Sequence, residues 1–117
     1  MGREEFKILQ KIEDMMTYGY PLLNQFPKAE KFSLAQDIRS AMNQMLRLTI
    51  ALERKGVRKT ALENLDVENQ SLIHLLRIAT QLHHLSMHSY GVWEKKLVEI
   101  GKMIGGLFKF VKEGQKS

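Results

Sequence analysis

Apolar residues recur along this chain at intervals of three and four positions, and nowhere do they alternate with polar residues as in a half-buried strand. This spacing predicts helices over about residues 3–23, 33–55, 62–87 and 92–111, with breaks at Pro27, at Gly56 and at the Ser89-Tyr90-Gly91 segment. Four helices with three short connections predict an all-α, up-down-up-down four-helix bundle. We expect a single domain over residues 1–112 and a frayed tail at 113–117.

The stretch from residue 62 to residue 87 is predicted to be one helix with two apolar faces. At about 100° per residue, one face carries Leu62, Leu65, Ile73, Leu76, Thr80 and Met87, and the nearly opposite face carries Val67, Leu75, Ile78, Leu82 and Leu85. The first face can line the core of its own bundle, whereas the second needs a cover, because a helix apolar on both sides is normally buried on both sides. In a chain this short, the expected cover is another copy of the protein. We therefore predict an oligomer interface that includes Leu75, Ile78, Leu82 and Leu85.

Length and composition describe a small protein without signals for export. A chain of 117 residues is the size of one domain, and the lack of cysteine excludes disulfides and thiolate zinc sites. The N-terminal MGREEFKIL segment has the pattern of neither a signal peptide nor a transit peptide. No stretch approaches the ~20 apolar residues of a membrane span. We predict a soluble, cytoplasmic protein with no membrane partner.

The charge balance favours a polyanionic partner. Lysine and arginine outnumber the acidic residues by 18 to 13, which gives a net charge of +5 and a pI near 9.6. Rows of Lys and Arg neutralise phosphates without reading sequence, and such binding weakens steeply with added salt. The predicted contact residues are Arg47, Arg54, Arg58, Arg77, Lys95 and Lys102. The alternative is a set of solvated helix faces, partly balanced by Asp37, Glu53, Glu94 and Glu99.

A polar stripe between the two apolar faces of this helix holds the candidates for chemistry: His74, Arg77, Gln81, His84 and His88. His84 and His88 have the i, i+4 spacing of a metal-binding pair, but no third ligand shares their face, so we predict no metal site. Arg77 followed by His83 or His84 matches the loose Arg-x4–6-His spacing of the HEPN ribonucleases. In such a pair the arginine could bind a phosphate and the histidine could act as a general acid or base. We expect no catalytic residue and no cofactor, and a small ribonuclease is the enzyme alternative.

Three segments resemble a known family. Phe26-Pro27-Lys28-Ala29-Glu30-Lys31-Phe32-Ser33-Leu34, followed by Ile38-Arg39, resembles the FPK-x-x-[KR]-F-x-L…IR signature of small four-helix proteins, including those encoded in ribosomal RNA intervening sequences. The segment that follows Tyr90, Leu97-Val98-Glu99-Ile100-Gly101-Lys102-Met103-Ile104-Gly105-Gly106-Leu107, resembles the EIGRMLGGW ending of the accessory variability determinant (Avd) of diversity-generating retroelements. Leu75-Leu76-Arg77-Ile78-Ala79 resembles the LRRL-A segment of the same family. The resemblance covers about residues 3–110, with Leu107 standing where many members carry Trp.

The resemblance implies a fold, an assembly and a role. It implies a homopentameric barrel of four-helix protomers with a basic surface. Such a protein associates with the reverse transcriptase of its retroelement, binds RNA and DNA, and supports mutagenic reverse transcription of a template RNA (mutagenic retrohoming), with no catalytic residue of its own. The alternative within the same structural class is an oligomer of the ribosomal RNA intervening-sequence type. A neighbouring reverse transcriptase gene would favour the first.

Overall fold

The protein folds as four α-helices joined by short connections. The computed structural model describes the backbone of residues 2–116 and the side chains of residues 2–54 and 56–111. The helices are α1 (Arg3–Leu23), α2 (Leu34–Ala51), α3 (Arg58–Gln81) and α4 (Met87–Lys116), with 3₁₀ turns at Lys28–Glu30 and Lys55–Val57. Each helix packs on the next one in the chain, and α1 also packs on α4. The result is a closed bundle measuring 51 × 23 × 19 Å, and the predicted all-α fold is confirmed.

One face of every helix is buried in a common core, as the three- and four-residue spacing predicts. The fully buried members include Ile8, Ile12 and Met15 of α1, Ile38, Met42 and Met45 of α2, Leu62, Leu65, Leu72 and Leu76 of α3, and Trp93, Leu97, Ile100 and Ile104 of α4. Two ion pairs brace α1 against α4 at the rim of this core, Lys11 with Glu99 at 3.0 Å and Lys96 with Asp14 at 2.8 Å. The Lys96 hydrogen bond lowers the pKa of Asp14 from its ordinary value.

Trp93 is the largest buried side chain, and a glycine makes room for it. Its indole is fully buried, and it meets the Tyr18 ring edge-on with 6.2 Å between ring centroids. A Cβ atom added to Gly19 would overlap that indole. Close approach of α1 to α4 therefore depends on a residue without a side chain at position 19.

The third helix is shorter than predicted, because α3 ends at Gln81 and the chain turns before Met87. His83 adopts φ 64°. The N–H of His84 donates to the carbonyl of Ala79 at 2.9 Å, and that of His83 donates to Thr80 at 3.0 Å. This pair of bonds is a Schellman motif, which satisfies the last carbonyls of a helix and usually carries glycine at the left-handed position.

Helix α4 starts earlier than predicted, because Ser86 caps it. The backbone N–H of Ser89 donates to the Ser86 hydroxyl at 3.0 Å, the hydrogen bond typical of an N-cap serine. The predicted break at Ser89-Tyr90-Gly91 is thus wrong, and those residues lie within the first two turns of α4. The predicted first face is also corrected at its end, since Met87 is exposed at the start of α4 instead of lining the core of α3.

Two further predictions concern a membrane-spanning helix and the C-terminal tail. In the part of the chain that the structure describes, no helix is long and apolar enough to cross a membrane. The fourth helix was predicted to end near Val111, but α4 continues to Lys116. The side chains of the predicted tail at 113–117 lie outside the described residues, so its fraying stays a prediction.

Candidate nucleic-acid and partner interface

Four of the six predicted basic residues point into solvent. Arg47 and Arg54 come from α2 and the turn after it, and Lys95 and Lys102 come from α4; all four are exposed. Among the described side chains, none of the four forms an ion pair. Lys95, Lys102 and Lys109 recur every seven residues, which keeps them on the side of α4 opposite its buried residues. These cations are available to a polyanion.

Arg58, the fifth predicted contact residue, is turned inward and tied to the fold. Its Nε donates to the carbonyl of Leu52 at 2.7 Å, one of the carbonyls left without a partner where α2 ends. Its Nη2 lies 3.8 Å from a carboxylate oxygen of Glu5 on α1. Arg58 therefore joins the end of α2, the start of α3 and the first turn of α1. It is not one of the cations that the bundle leaves open.

Replacing Arg58 by alanine is expected to destabilise the protein, whereas the same change at Arg54 is not. The loss at position 58 is about 1–2 kcal/mol in the free energy of unfolding, because a charged donor to a helix carbonyl disappears and solvent replaces it only in part. Chemical denaturation of the two variants measures the difference. Equal stability of Arg58→Ala and Arg54→Ala would contradict the capping role.

Arg77, the sixth predicted residue, belongs to a polar cluster that spans α3 and α4. Its Nε donates to the Tyr90 hydroxyl at 2.9 Å, and its Nη2 lies 3.6 Å from Glu94. The Tyr90 hydroxyl in turn donates to Glu94. Burial, followed by the hydrogen bond to Glu94, raises the pKa of Tyr90, and the hydrogen bond to Tyr90 is the largest cause that raises the pKa of Arg77. Glu94 thus balances the charge of Arg77, which is exposed but already partnered.

Two grooves run along the two sides of α3. The groove between α3 and α4 has a volume of about 380 Å³ and mixes both signs of charge: Asp66, His74, Arg77, Glu94 and Lys102. The groove between α2 and α3 has about 620 Å³ and is also mixed, with Asp37, Arg47, Glu68 and Leu75 among its lining residues. The structure therefore brings Arg77 and Lys102 together in one groove and places Arg47 in the other. Neither groove is a concentrated basic pocket.

An apolar ridge lies between the two grooves on the outer side of α3. It consists of Val67, Ile78 and Leu82, which are 62%, 45% and 50% exposed. Leu75 is half-buried beside this ridge, in the groove with α2. The predicted second face of α3 therefore exists, and a single chain leaves it largely uncovered.

Leu85 departs from the predicted interface. It is only 6% exposed and belongs to the core cluster of its own chain. The reason is the turn after Gln81, which takes Leu85 off the helical wheel of α3 and folds it back onto the bundle. The outward surface of α3 thus keeps Val67, Leu75, Ile78 and Leu82 of the predicted second face and loses Leu85.

The histidines of the polar stripe do not form one site. The ring of His84 lies 3.2 Å from the Glu30 carboxylate and 5.7 Å from the Phe26 ring centroid, so it joins the α3–α4 turn to the α1–α2 connection. His83 and His88 are exposed, and the turn between α3 and α4 removes the i, i+4 relation of His84 to His88. Among the described residues, no hydrogen bond or ion pair joins Arg77 to His83 or His84, and no group of three His, Asp or Glu could hold a metal ion.

Sequence reasoning missed the partners of three of these groups. Arg58 lies more than fifty residues from its partner Glu5 in the sequence, and so does His84 from Glu30. Helical periodicity does not predict contacts between residues so far apart. Arg77 is thirteen residues from Tyr90, in the next helix. The Ser86 cap, by contrast, is a local signal that could have been recognised.

A comparison with models of protein families matches residues 6–111 to the family described as bAvd-like. The match spans nearly the whole bundle, including all three segments on which the resemblance rests, and confirms that resemblance. A search of curated proteins and a search of solved structures each found no match.

Proposed function

The chain belongs to the bAvd-like family, and from this premise we propose that it is a non-enzymatic accessory subunit of a diversity-generating retroelement. In this role it binds the reverse transcriptase of the element together with the template RNA and its cDNA, and supports mutagenic retrohoming. It acts in the cytoplasm. Family membership supports the general role, and the surface of the bundle supports the mode of binding.

The observation that carries the mode of binding is the set of open cations on outward helix faces. Arg47, Arg54, Lys95 and Lys102 are exposed and form no ion pair among the described residues, in a chain of net charge +5. Elsewhere on the bundle, several cations are matched by acids, as Lys11 is by Glu99 and Lys96 by Asp14. Lysine and arginine side chains without ion-pair partners bind phosphates through charge, and these contacts do not distinguish one base from another. We expect binding that is tight at low salt, weak at high salt and independent of sequence.

Self-association is the second part of the proposal. The exposed Ser71 and His74 separate Val67 from Ile78 and Leu82 on the ridge, so Ile78 and Leu82 supply a small apolar centre. The two polar grooves flank this centre as a polar rim flanks the apolar centre of an interface. A second copy that packs on this ridge also covers Leu75. We propose that the copies close into a ring, a homopentameric barrel, which multiplies the open cations around one particle and so raises its avidity for a long polyanion.

Charged substitutions on the ridge are expected to dissociate the assembly. Ile78→Lys and Leu82→Lys each remove an apolar contact of about 1.5–3 kcal/mol and bury a charge, so the dissociation constant rises by roughly tenfold or more. Gln81→Lys adds the same charge to the same helix outside the ridge and serves as the matched control. Solution mass by light scattering measures the outcome. A mass that Ile78→Lys and Leu82→Lys leave as large as in the control would contradict this interface.

Association with the polymerase is tested directly by mixing the purified chain with the reverse transcriptase of its retroelement. The two proteins are expected to elute together in gel filtration at low salt, and to separate as salt is raised if charge supplies much of the binding. Separate elution at low salt, with both proteins folded, would overturn the accessory role.

A further inference from the structure

The connection between α1 and α2 presents one aromatic ring almost completely to solvent. Phe32 is 91% exposed, the most exposed of the large apolar side chains among the described residues. It sits in a turn held by three backbone hydrogen bonds, from the N–H of Glu30 to Pro27, of Lys31 to Lys28 and of Ser33 to Glu30. At this exposure the phenylalanine contributes almost no burial free energy to folding, so the core of the bundle does not require an aromatic residue here.

The same turn is anchored on both sides of Phe32. Phe26 is buried in the core at the start of the connection, and Leu34 packs against the core at the start of α2. Phe32 therefore stands on a short, hydrogen-bonded segment between two fixed points. The backbone that carries the ring is therefore already ordered, and a flat partner that stacks on the ring need not order this segment.

The basic residues near Phe32 are exposed, whereas the one acidic residue of the connection faces the protein. Lys28 and Lys31 are exposed and form no ion pair among the described residues. The one acid of the connection, Glu30, faces inward, since one of its carboxylate oxygens accepts from Ser33 at 2.7 Å and the other lies 3.2 Å from the His84 ring. The turn thus exposes two cations without ion-pair partners and one aromatic ring within residues 28–32.

We infer that this turn is a stacking platform for single-stranded nucleic acid, in which Phe32 stacks on an unpaired base while Lys28 and Lys31 contact the flanking phosphates. This combination of an aromatic ring with nearby cations is how proteins hold single strands without reading sequence. The inference rests on the proposed function and adds to it a place on the bundle and a preference for unpaired over duplex nucleic acid. A purely apolar pocket on a protein partner would need the ring but would gain nothing from the two unpaired lysines, whereas a single strand uses both.

Fluorescence anisotropy with an unstructured single-stranded RNA and a blunt RNA duplex of equal length tests the platform. Phe32→Ala is expected to weaken binding of the single strand by about 5- to 150-fold, the range found for loss of one stacked base. Binding of the duplex and the salt dependence of both complexes should not change, because no charge is removed. Lys28→Ala with Lys31→Ala should weaken both complexes and lower the salt slope for the single strand by about 1.4.

Phe6→Ala is the matched control, because Phe6 is a half-exposed phenylalanine on the first turns of α1, next to Glu4 and Glu5. Phe32→Trp supplies a second readout. The native Trp93 is fully buried, so quenching of the added tryptophan by the single strand beyond the wild-type change reports stacking. A wild-type chain that binds no RNA would overturn the proposed function. Wild-type binding with equal losses in Phe32→Ala and Phe6→Ala, or with no loss and no quenching, would overturn the platform alone.

Discussion

Gly19→Ala is expected to destabilise the bundle by about 1–3 kcal/mol, the usual cost of inserting a methyl group into a filled core. On propensity alone the same change would stabilise a helix by up to about 1 kcal/mol. The sign is reversed here because the added Cβ overlaps the indole of Trp93, which is buried on all sides and cannot move into solvent. Denaturant unfolding followed by circular dichroism measures the difference from wild type.

Gly105→Ala is the control for this prediction. Gly105 is also helical, but a Cβ at this position would meet nothing within 4 Å. We expect Gly105→Ala to leave stability unchanged or raise it by up to about 1 kcal/mol. Trp93→Phe should relieve part of the clash, so the cost of Gly19→Ala should fall in that background. A Gly19→Ala variant as stable as Gly105→Ala would contradict the packing of α1 on α4 described here.

Reversing the open cations is expected to remove most of the affinity for RNA. Arg47→Glu, Arg54→Glu, Lys95→Glu and Lys102→Glu each change the charge by two, so together they take the chain from +5 to −3. If each residue contacts one phosphate of a single strand, the slope of log affinity against log salt should fall by roughly 0.7 for each lost contact. Losses of this kind amount to a hundredfold or more at moderate salt. Anisotropy titrations at several salt concentrations measure both quantities.

A pair of reversals elsewhere separates contact from net charge. Lys95→Glu with Lys102→Glu should weaken binding more than Lys7→Glu with Lys11→Glu, two lysines already paired with Glu4 and Glu99, although the two variants have the same net charge. Both pairs lower the long-range attraction equally, but only the first is predicted to remove phosphate contacts. Equal losses would show that the binding follows net charge and that Lys95 and Lys102 have no special place in it.

The spacing of apolar residues predicted the core faces of the helices. It did not predict the turn between α3 and α4, which lacks the usual glycine. The core faces of α1 and α2 follow the spacing of residues such as Ile8, Ile12, Ile38 and Met45. The end of α3 was not predicted, because His83 takes the left-handed position that glycine usually occupies. No glycine therefore marked the turn in the sequence. The misplaced turn then assigned Leu85 to an outer face, although it is in the core.

The candidate site was predictable to the extent that exposure follows from helical phase. The seven-residue recurrence of Lys95 and Lys102 placed them correctly on the outer side of α4. The role of Arg58 could not be predicted in this way, because its partners, Glu5 and the Leu52 carbonyl, are brought together only by the packed bundle. Phe32 could not be distinguished from a core phenylalanine by composition, and its exposure is a property of the turn.

The proposal that the protein is an oligomer that binds RNA is tested most directly by the solution mass of the purified chain. The mass is measured by light scattering with and without single-stranded RNA. We predict one species with a mass several times the 13.6 kDa of a single chain, which gains mass when RNA is added at low salt and loses the bound RNA at high salt. A folded monomer that keeps the mass of one chain in the presence of RNA would contradict it.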